Sequence, residues 1–339
     1  MPVAPMARRG AARPAAPLAE LNASETARCV RQVVGPFLRG APAPLLLSFL
    51  TDVPSPFPLG LTAAAHAFPL ALAGLGHAWS PAAKLPGLVR ALQLLAAASP
   101  SLPALFADGA DAALSGGASA LHRSLLSAGV WLAAECASWP VCLAANYSRL
   151  PSHAACAARG SLCFANSGGG GGPAVSLLAL LRAAAAAQEA GERADDQAAV
   201  HAAYLAGAAG GRLDERGALF LSLGACKGGG RARRVGGAEV CHRGAYEPLE
   251  ALVGRGEGVR LADGTRPLLL HANGIHDRLH RVWWGEGRER RLPPRQNVSR
   301  RWREETVRRR SQWRHPVLLI DSVAGGTCSV TTLEKLLQM

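Results

Sequence analysis

With 339 residues, 49% of them hydrophobic, the chain is long enough to bury a full core as one large domain or two ordinary ones, which excludes a disordered protein. Its formal charge of +13 is concentrated in one place, because thirteen arginines face four glutamates between Arg278 and Arg314. A basic tail on a nearly balanced body argues against a nucleic-acid enzyme with a basic catalytic cleft, though it leaves tethering open.

The residues before about 42 read as a poorly ordered lead with one helix around Ala27 to Leu38. Arg8, Arg9 and Arg13 precede the first acid, Glu20, but no apolar core of signal-peptide length follows, so no clear signal peptide is read. Leu45 to Thr51 is a continuous apolar run ending in Asp52, the pattern of a strand buried on both faces. A short helix at Thr62 to His66 and a second apolar run at Phe68 to Leu72 follow, then Gly74-Leu75-Gly76. From Ala82 to Ala98, Leu85, Leu88, Leu92 and Leu95 recur at helical spacing, with Lys84 near the start.

Leu102, Ala104 and Leu105 then lead into Phe106-Ala107-Asp108-Gly109-Ala110-Asp111. Two carboxylates at the end of a buried strand suit a hard divalent cation, and ligands gather at the carboxyl ends of parallel strands; a turn or helix cap is the plainer reading. A helix from Ala118 to Leu126 and a strand from Gly129 to Ala134 continue the alternation expected of a parallel α/β sheet. Tyr147 to Arg159 reads as loop, and the glycines from Gly168 to Gly172 read either as a phosphate cradle or as a flexible turn before a helix opened by Pro173. Asp195-Asp196-Gln197 starts the next helix, with capping as its simplest role. Ala218 to Leu223, Val259 to Leu261 and Pro267 to His271 are further strand candidates. His271 is read either as a core histidine or as a third metal ligand.

Eight cysteines without a C-x-x-C pair give no structural zinc signature, while the cluster from Cys136 to Cys163 permits disulfides of unspecified pairing. Sequons begin at Asn22, Asn146 and Asn297. No run of about 18 uncharged apolar residues occurs, so no transmembrane segment is expected.

Taken as an ordered set, F-x-D-x-x-D at Phe106 to Asp111, A-E-x-x-x-W-P at Ala134 to Pro140, N-S-G-G at Asn166 to Gly169, D-D-Q at Asp195 to Gln197 and H-x-N-G at His271 to Gly274 resemble the glycosyltransferase domain of the procollagen lysyl hydroxylases. Leu47 to Thr51, and Gly74 to Trp79 with Lys84, extend the similarity upstream. The resemblance implies a GT-A type, Rossmann-like α/β domain over residues 43–278. It implies a UDP-sugar donor, Mn²⁺, and transfer of glucose to a hydroxyl of a protein or glycan acceptor, as in procollagen galactosylhydroxylysine glucosyltransferase. By matching position, Asp108, Asp111 and His271 would hold the metal, and Ser48, Trp79 and Lys84 would line the nucleotide and its phosphates. Trp139, Asn166, Asp195 and Asp196 would face sugar and acceptor. Together with the sequons, it implies the endoplasmic reticulum or Golgi lumen.

Three departures bear on activity. Ala110 stands where the family has a tyrosine that stacks on uracil, Ala194 shortens the acidic run before Asp195, and Gly224 replaces a customary acid. They motivate an alternative, a catalytically impaired relative acting as a binding or scaffold protein. The chain has no room for the family's iron-dependent hydroxylase module, so hydroxylation is not expected. Residues 279–339, where Trp283, Trp284, Trp302 and Trp313 interleave with arginine, are expected to form a packed helical extension with Val317 to Ile320 as an edge strand. Nucleic-acid binding there is the least favoured reading.

Overall fold

A computed structural model describes residues 23–39, 44–53, 57–78, 80–135, 144–158, 162–190, 195–222, 234–235, 238–239, 264–271, 314–322 and 326–338. Its centre is an eight-stranded, mostly parallel sheet, an α/β arrangement compatible with a Rossmann-like fold. In chain order the strands are β1 (Leu45–Phe49), β2 (Leu70–Ala73), β3 (Pro103–Asp108), β4 (Ala112–Leu114), β5 (Trp131–Glu135), β6 (Phe164–Pro173), β7 (Arg212–Leu213), β8 (Phe220–Ser222), β9 (Arg234–Val235), β10 (Ala238–Glu239), β11 (Leu269–His271), β12 (Pro316–Ser322) and β13 (Gly326–Thr332). The large sheet runs β13-β12-β2-β1-β3-β6-β5-β7, with only β6 and β13 reversed. A second, three-stranded sheet has the order β4-β11-β8.

Every residue of β1 is buried because helices cover one face and the small sheet the other. The α-helices through Leu205 are, in chain order, α1 (Ala23–Cys29), α2 (Gly35–Arg39), α3 (Pro58–Ala65), α4 (Pro81–Ala98), α5 (Ala120–Ala128), α6 (Ala144–Tyr147), α7 (Pro151–Ala158), α8 (Ala174–Ala190) and α9 (Asp196–Leu205). Leu45, Leu47 and Phe49 pack with α4, α8 and α9 through Leu88, Leu92, Leu181 and Val200. Leu46 and Leu50 point the other way, into a cluster with Leu70, Leu105, Leu114, Phe220 and Leu269. Both faces being apolar is what makes these strands continuous hydrophobic runs instead of alternating ones. At about 25 cal/mol per Å² of apolar area, such burial is the main favourable term in the fold.

The structure corrects several expectations. Tyr147 to Arg159 is not a loop: Pro151–Ala158 is a helix, and a disulfide from Cys156 to Cys163 ties it to the start of β6. The glycine run is not a flexible turn but the body of β6, hydrogen-bonded to β3 and β5. Glycine was needed there for close packing, since a Cβ on Gly170 would lie 2.4 Å from the Phe106 ring. Val317 to Ile320 belongs to an interior strand, β12, between β2 and β13. Pro316–Ser322 and Gly326–Thr332, assigned from sequence to a helical extension, therefore continue the main sheet, and Leu333–Gln338 is the α-helix among the described residues of that region. The lead is helical from Ala23 to Arg39, and Cys29 is bonded to Cys328 in β13. The remaining strand candidate, Val259 to Leu261, lies outside the described residues.

Candidate metal centre

The parallel strands deliver their carboxyl ends to one edge of the sheet, and the site is assembled there. Asp108 is the last residue of β3, Asp111 closes the turn into β4, and His271 ends β11, whose register pairs it with Ala112. The turn is compact because Gly109 lies against Leu50, where a Cβ would come within 2.5 Å. One oxygen of each aspartate and a ring nitrogen of His271 all lie within 4.8 Å of one another. His271 Nε2 stands 3.5 Å from Asp108 and 3.4 Å from Asp111, too far for a good hydrogen bond. Both ring nitrogens of this buried histidine lack a hydrogen-bond partner.

Two hard oxygens and an imidazole with an orphaned nitrogen fit a divalent ion such as Mn²⁺, and this buried group could bind one. Burial alone would pull the imidazole's pKa down, but Asp111 and Asp108 outweigh it and raise it to about 10. Burial likewise pushes Asp108 up, and the charges of Lys84 and His271 overcome it and hold the carboxyl well below its usual range.

β6 shapes the other wall through a bulge. Opposite β5 its register jumps from Gly170 to Asn166, while opposite β3 Gly169 and Gly170 stay paired, so Ser167 and Gly168 bow out against Lys84 and His271. Asn166 Oδ1 accepts from the Gly168 amide at 2.8 Å, and the Ser167 carbonyl accepts from Lys84 Nζ at 3.2 Å. Gly168 packs directly on the His271 ring.

Lys84, in the first turn of α4, reaches across to both halves of the site. Its ammonium stands 2.6 Å from Asp108 Oδ1 and 2.7 Å from Asp196 Oδ2. Burial tends to lower its pKa, yet the two carboxylates raise it above the ordinary lysine value, keeping it charged. Asp196 is the first residue of α9. Asp195 is its cap, accepting from the Gln197 amide at 3.0 Å, so the capping role read from sequence is real.

Behind these groups lies a buried polar network in which Glu135, Asn166 and Gln197 belong to the sequence motifs and Tyr147 and His201 do not. Gln197 Oε1 accepts from the Ser167 amide. Its Nε2 donates to Glu135 Oε1 and to the Ala165 carbonyl, each at 2.8 Å. Asn166 Nδ2 donates to the other oxygen of Glu135 at 3.2 Å. With both amide hydrogens of Gln197 so used, His201 Nε2, 3.1 Å away, is assigned as unprotonated, and Nδ1–H donates to Tyr147 Oη. The Tyr147 oxygen also accepts from the Ala165 amide at 3.0 Å. Burial pushes His201 down to about 4, in keeping with a neutral ring. Gln197 and His201 are four residues apart on one face of α9, the spacing that could have revealed them as a pair.

Of the residues singled out from sequence, Asp108, Asp111, His271, Lys84 and Asp196 come together, with Asp195 at the adjoining helix end and Asn166 supporting the bulge. Ser48 is wholly buried in β1, where its hydroxyl donates to the Ala107 carbonyl at 2.8 Å. Trp79 and Trp139 lie outside the described residues, as do Asn273, Gly274 and nearly all of the arginine-rich tail. No helix among the described residues is long and apolar enough to cross a membrane. The chain matches no protein-family model and no curated protein.

Proposed function

We propose that the protein is a metal-dependent glycosyltransferase of the GT-A type, moving a hexose, glucose by its motif resemblance, from a UDP-sugar to a hydroxyl of a protein or glycan. The observation that carries this reading is the Asp108–Asp111–His271 group at the carboxyl edge of the sheet, bridged by Lys84 to Asp196. The reversal of β6 inside an otherwise parallel run and the small sheet holding His271 also support it.

A divalent ion held by Asp108, Asp111 and His271 would supply positive charge opposite a diphosphate leaving group. Lys84 adds a second positive charge within the same low-dielectric wall. Asp196 and Asp195 present carboxylates from a rigid helix end, suited to orienting sugar or acceptor hydroxyls. Asn166 and Gln197 hold the bulge that separates these two halves. Two disulfides, with a sequon at the exposed Asn146, support a secretory lumen as the site of action.

One observation favours a second reading. Ala110 is exposed at the tip of the metal turn and offers no aromatic face to a base, as expected of a binding protein that has lost catalysis. Calorimetric titration of UDP with and without Mn²⁺ separates the two. Binding that requires both Mn²⁺ and Asp111, and is abolished in Asp111→Ala, upholds the transferase; absence of Mn²⁺-dependent binding by folded wild type overturns it.

A further inference from the structure

Lys84 sits where local energetics disfavour it. A cation in the first turn of a helix opposes the positive end of the helix dipole, and here the ammonium also contacts Asp196, the first residue of α9. The placement is maintained by three contacts: Asp108 Oδ1 at 2.6 Å, Asp196 Oδ2 at 2.7 Å and the Ser167 carbonyl at 3.2 Å. An ammonium has three hydrogens, so its donor capacity is fully used within the protein. Its nearest partner, Asp108, is also one of the three candidate metal ligands. Lys84 thus cancels one of the three carboxylate charges of Asp108, Asp111 and Asp196, and it does so through Asp108 Oδ1, on the same carboxylate whose Oδ2 faces His271.

We propose that Lys84 is a tethered cation that competes with the divalent ion for Asp108, and that a diphosphate relieves the competition by offering the ammonium anionic oxygens in exchange. Metal and nucleotide then bind as a pair. Either one alone binds weakly, because the metal must share the Asp108 carboxylate with the Lys84 ammonium and the diphosphate must face Asp108 and Asp196. When the ammonium turns to phosphate, Asp196 loses its partner and becomes available to a hydroxyl. The second half of this inference rests on the nucleotide reading above; the competition for Asp108 does not.

The test is a titration of the full chain with Mn²⁺ alone, read by the electron paramagnetic signal of free Mn²⁺ and repeated with saturating UDP. Wild type is compared with Lys84→Met, which keeps the stem and removes the charge. Because Lys84→Met leaves three carboxylates together without their cation, Lys84→Met/Asp196→Asn, which preserves the cluster's formal charge, is measured alongside. Removing the lysine is expected to tighten binding of Mn²⁺ alone by about tenfold or more in whichever variant folds, and UDP to tighten it by about tenfold or more in wild type only. Unchanged or weaker binding of Mn²⁺ alone in both folded variants overturns the competition. Tighter Mn²⁺ binding in the variants, with no effect of UDP on wild type, supports the competition and overturns the nucleotide reading.

Discussion

Gly168 is where the fold and the candidate metal centre meet, and replacing it with alanine tests both. A Cβ there would lie 1.9 Å from His271 Cε1 and 2.4 Å from Nδ1. Carbon atoms rest about 3.5–4.0 Å apart, so ring or strand must retreat by roughly 1.5 Å. Neither has room. His271 is held in β11 between β4 and β8 with 2% of its surface exposed, and Gly168 is held by its amide's hydrogen bond to Asn166 Oδ1 and by the pairing of Gly169 with β3. Overpacking of this kind costs about 1–3 kcal/mol, and misplacing a ligand through its supporting contacts lowers metal affinity by about 10–100-fold. Gly117→Ala is the control, because nothing lies within 4 Å of a Cβ at that position. Mn²⁺ calorimetry and thermal unfolding of both variants provide the readout. If Gly168→Ala binds Mn²⁺ as wild type does and melts with it, His271 is not a ligand held by that contact.

Further outcomes follow from the network, the turn and the disulfides. His201 has a folded-state value near 4 against its ordinary 6.5, so the stability from keeping it neutral is complete above pH 6.5 and is lost as the pH falls through 4. The contribution is about 3 kcal/mol. Urea unfolding at pH 7 and pH 4 should show His201→Gln losing less than wild type by that order, and equal losses would refute the neutral assignment. Ala110→Tyr places a ring on an exposed turn and should tighten Mn²⁺–UDP binding by about 1–3 kcal/mol without lowering the melting temperature; an unchanged Kd would remove the turn from the nucleotide site. The Cys29–Cys328 bond spans 299 residues of sequence and the Cys156–Cys163 bond only 7. Replacing the first pair by serine should cost about 2–4 kcal/mol and exceed the loss from replacing the second, and the reverse order in denaturant unfolding would contradict the loop-length argument.

Much of the sheet was legible because its strands are buried on both faces. Leu45–Phe49, Leu70–Ala73 and the run into Asp108 stand out as apolar stretches whatever their neighbours are. The helix beginning at Asp196 was legible from its cap, a signal contained within three residues. The glycine run misled for the opposite reason: glycine has no side chain to report a period, and its extended form is imposed by Phe106, Phe220 and the flanking strands. Val317 to Ile320 showed itself as a strand but not as an interior one, since an apolar run carries no record of its neighbours.

The same division holds at the site. Residue types and local order were set by the sequence: two acids three apart after a buried strand, an acid pair opening a helix, a histidine closing an apolar run. Those are short-range patterns, and chain geometry alone makes them strand ends and helix caps. The tertiary structure alone decided that Lys84 lies between Asp108 and Asp196, that His271 faces both Asp108 and Asp111, and that Gln197 braces the bulge from behind. These partners are separated by many residues and come from different elements, so their meeting depends on strand order, on the reversal of β6 and on the register jump at Asn166, none of which is encoded within any one segment.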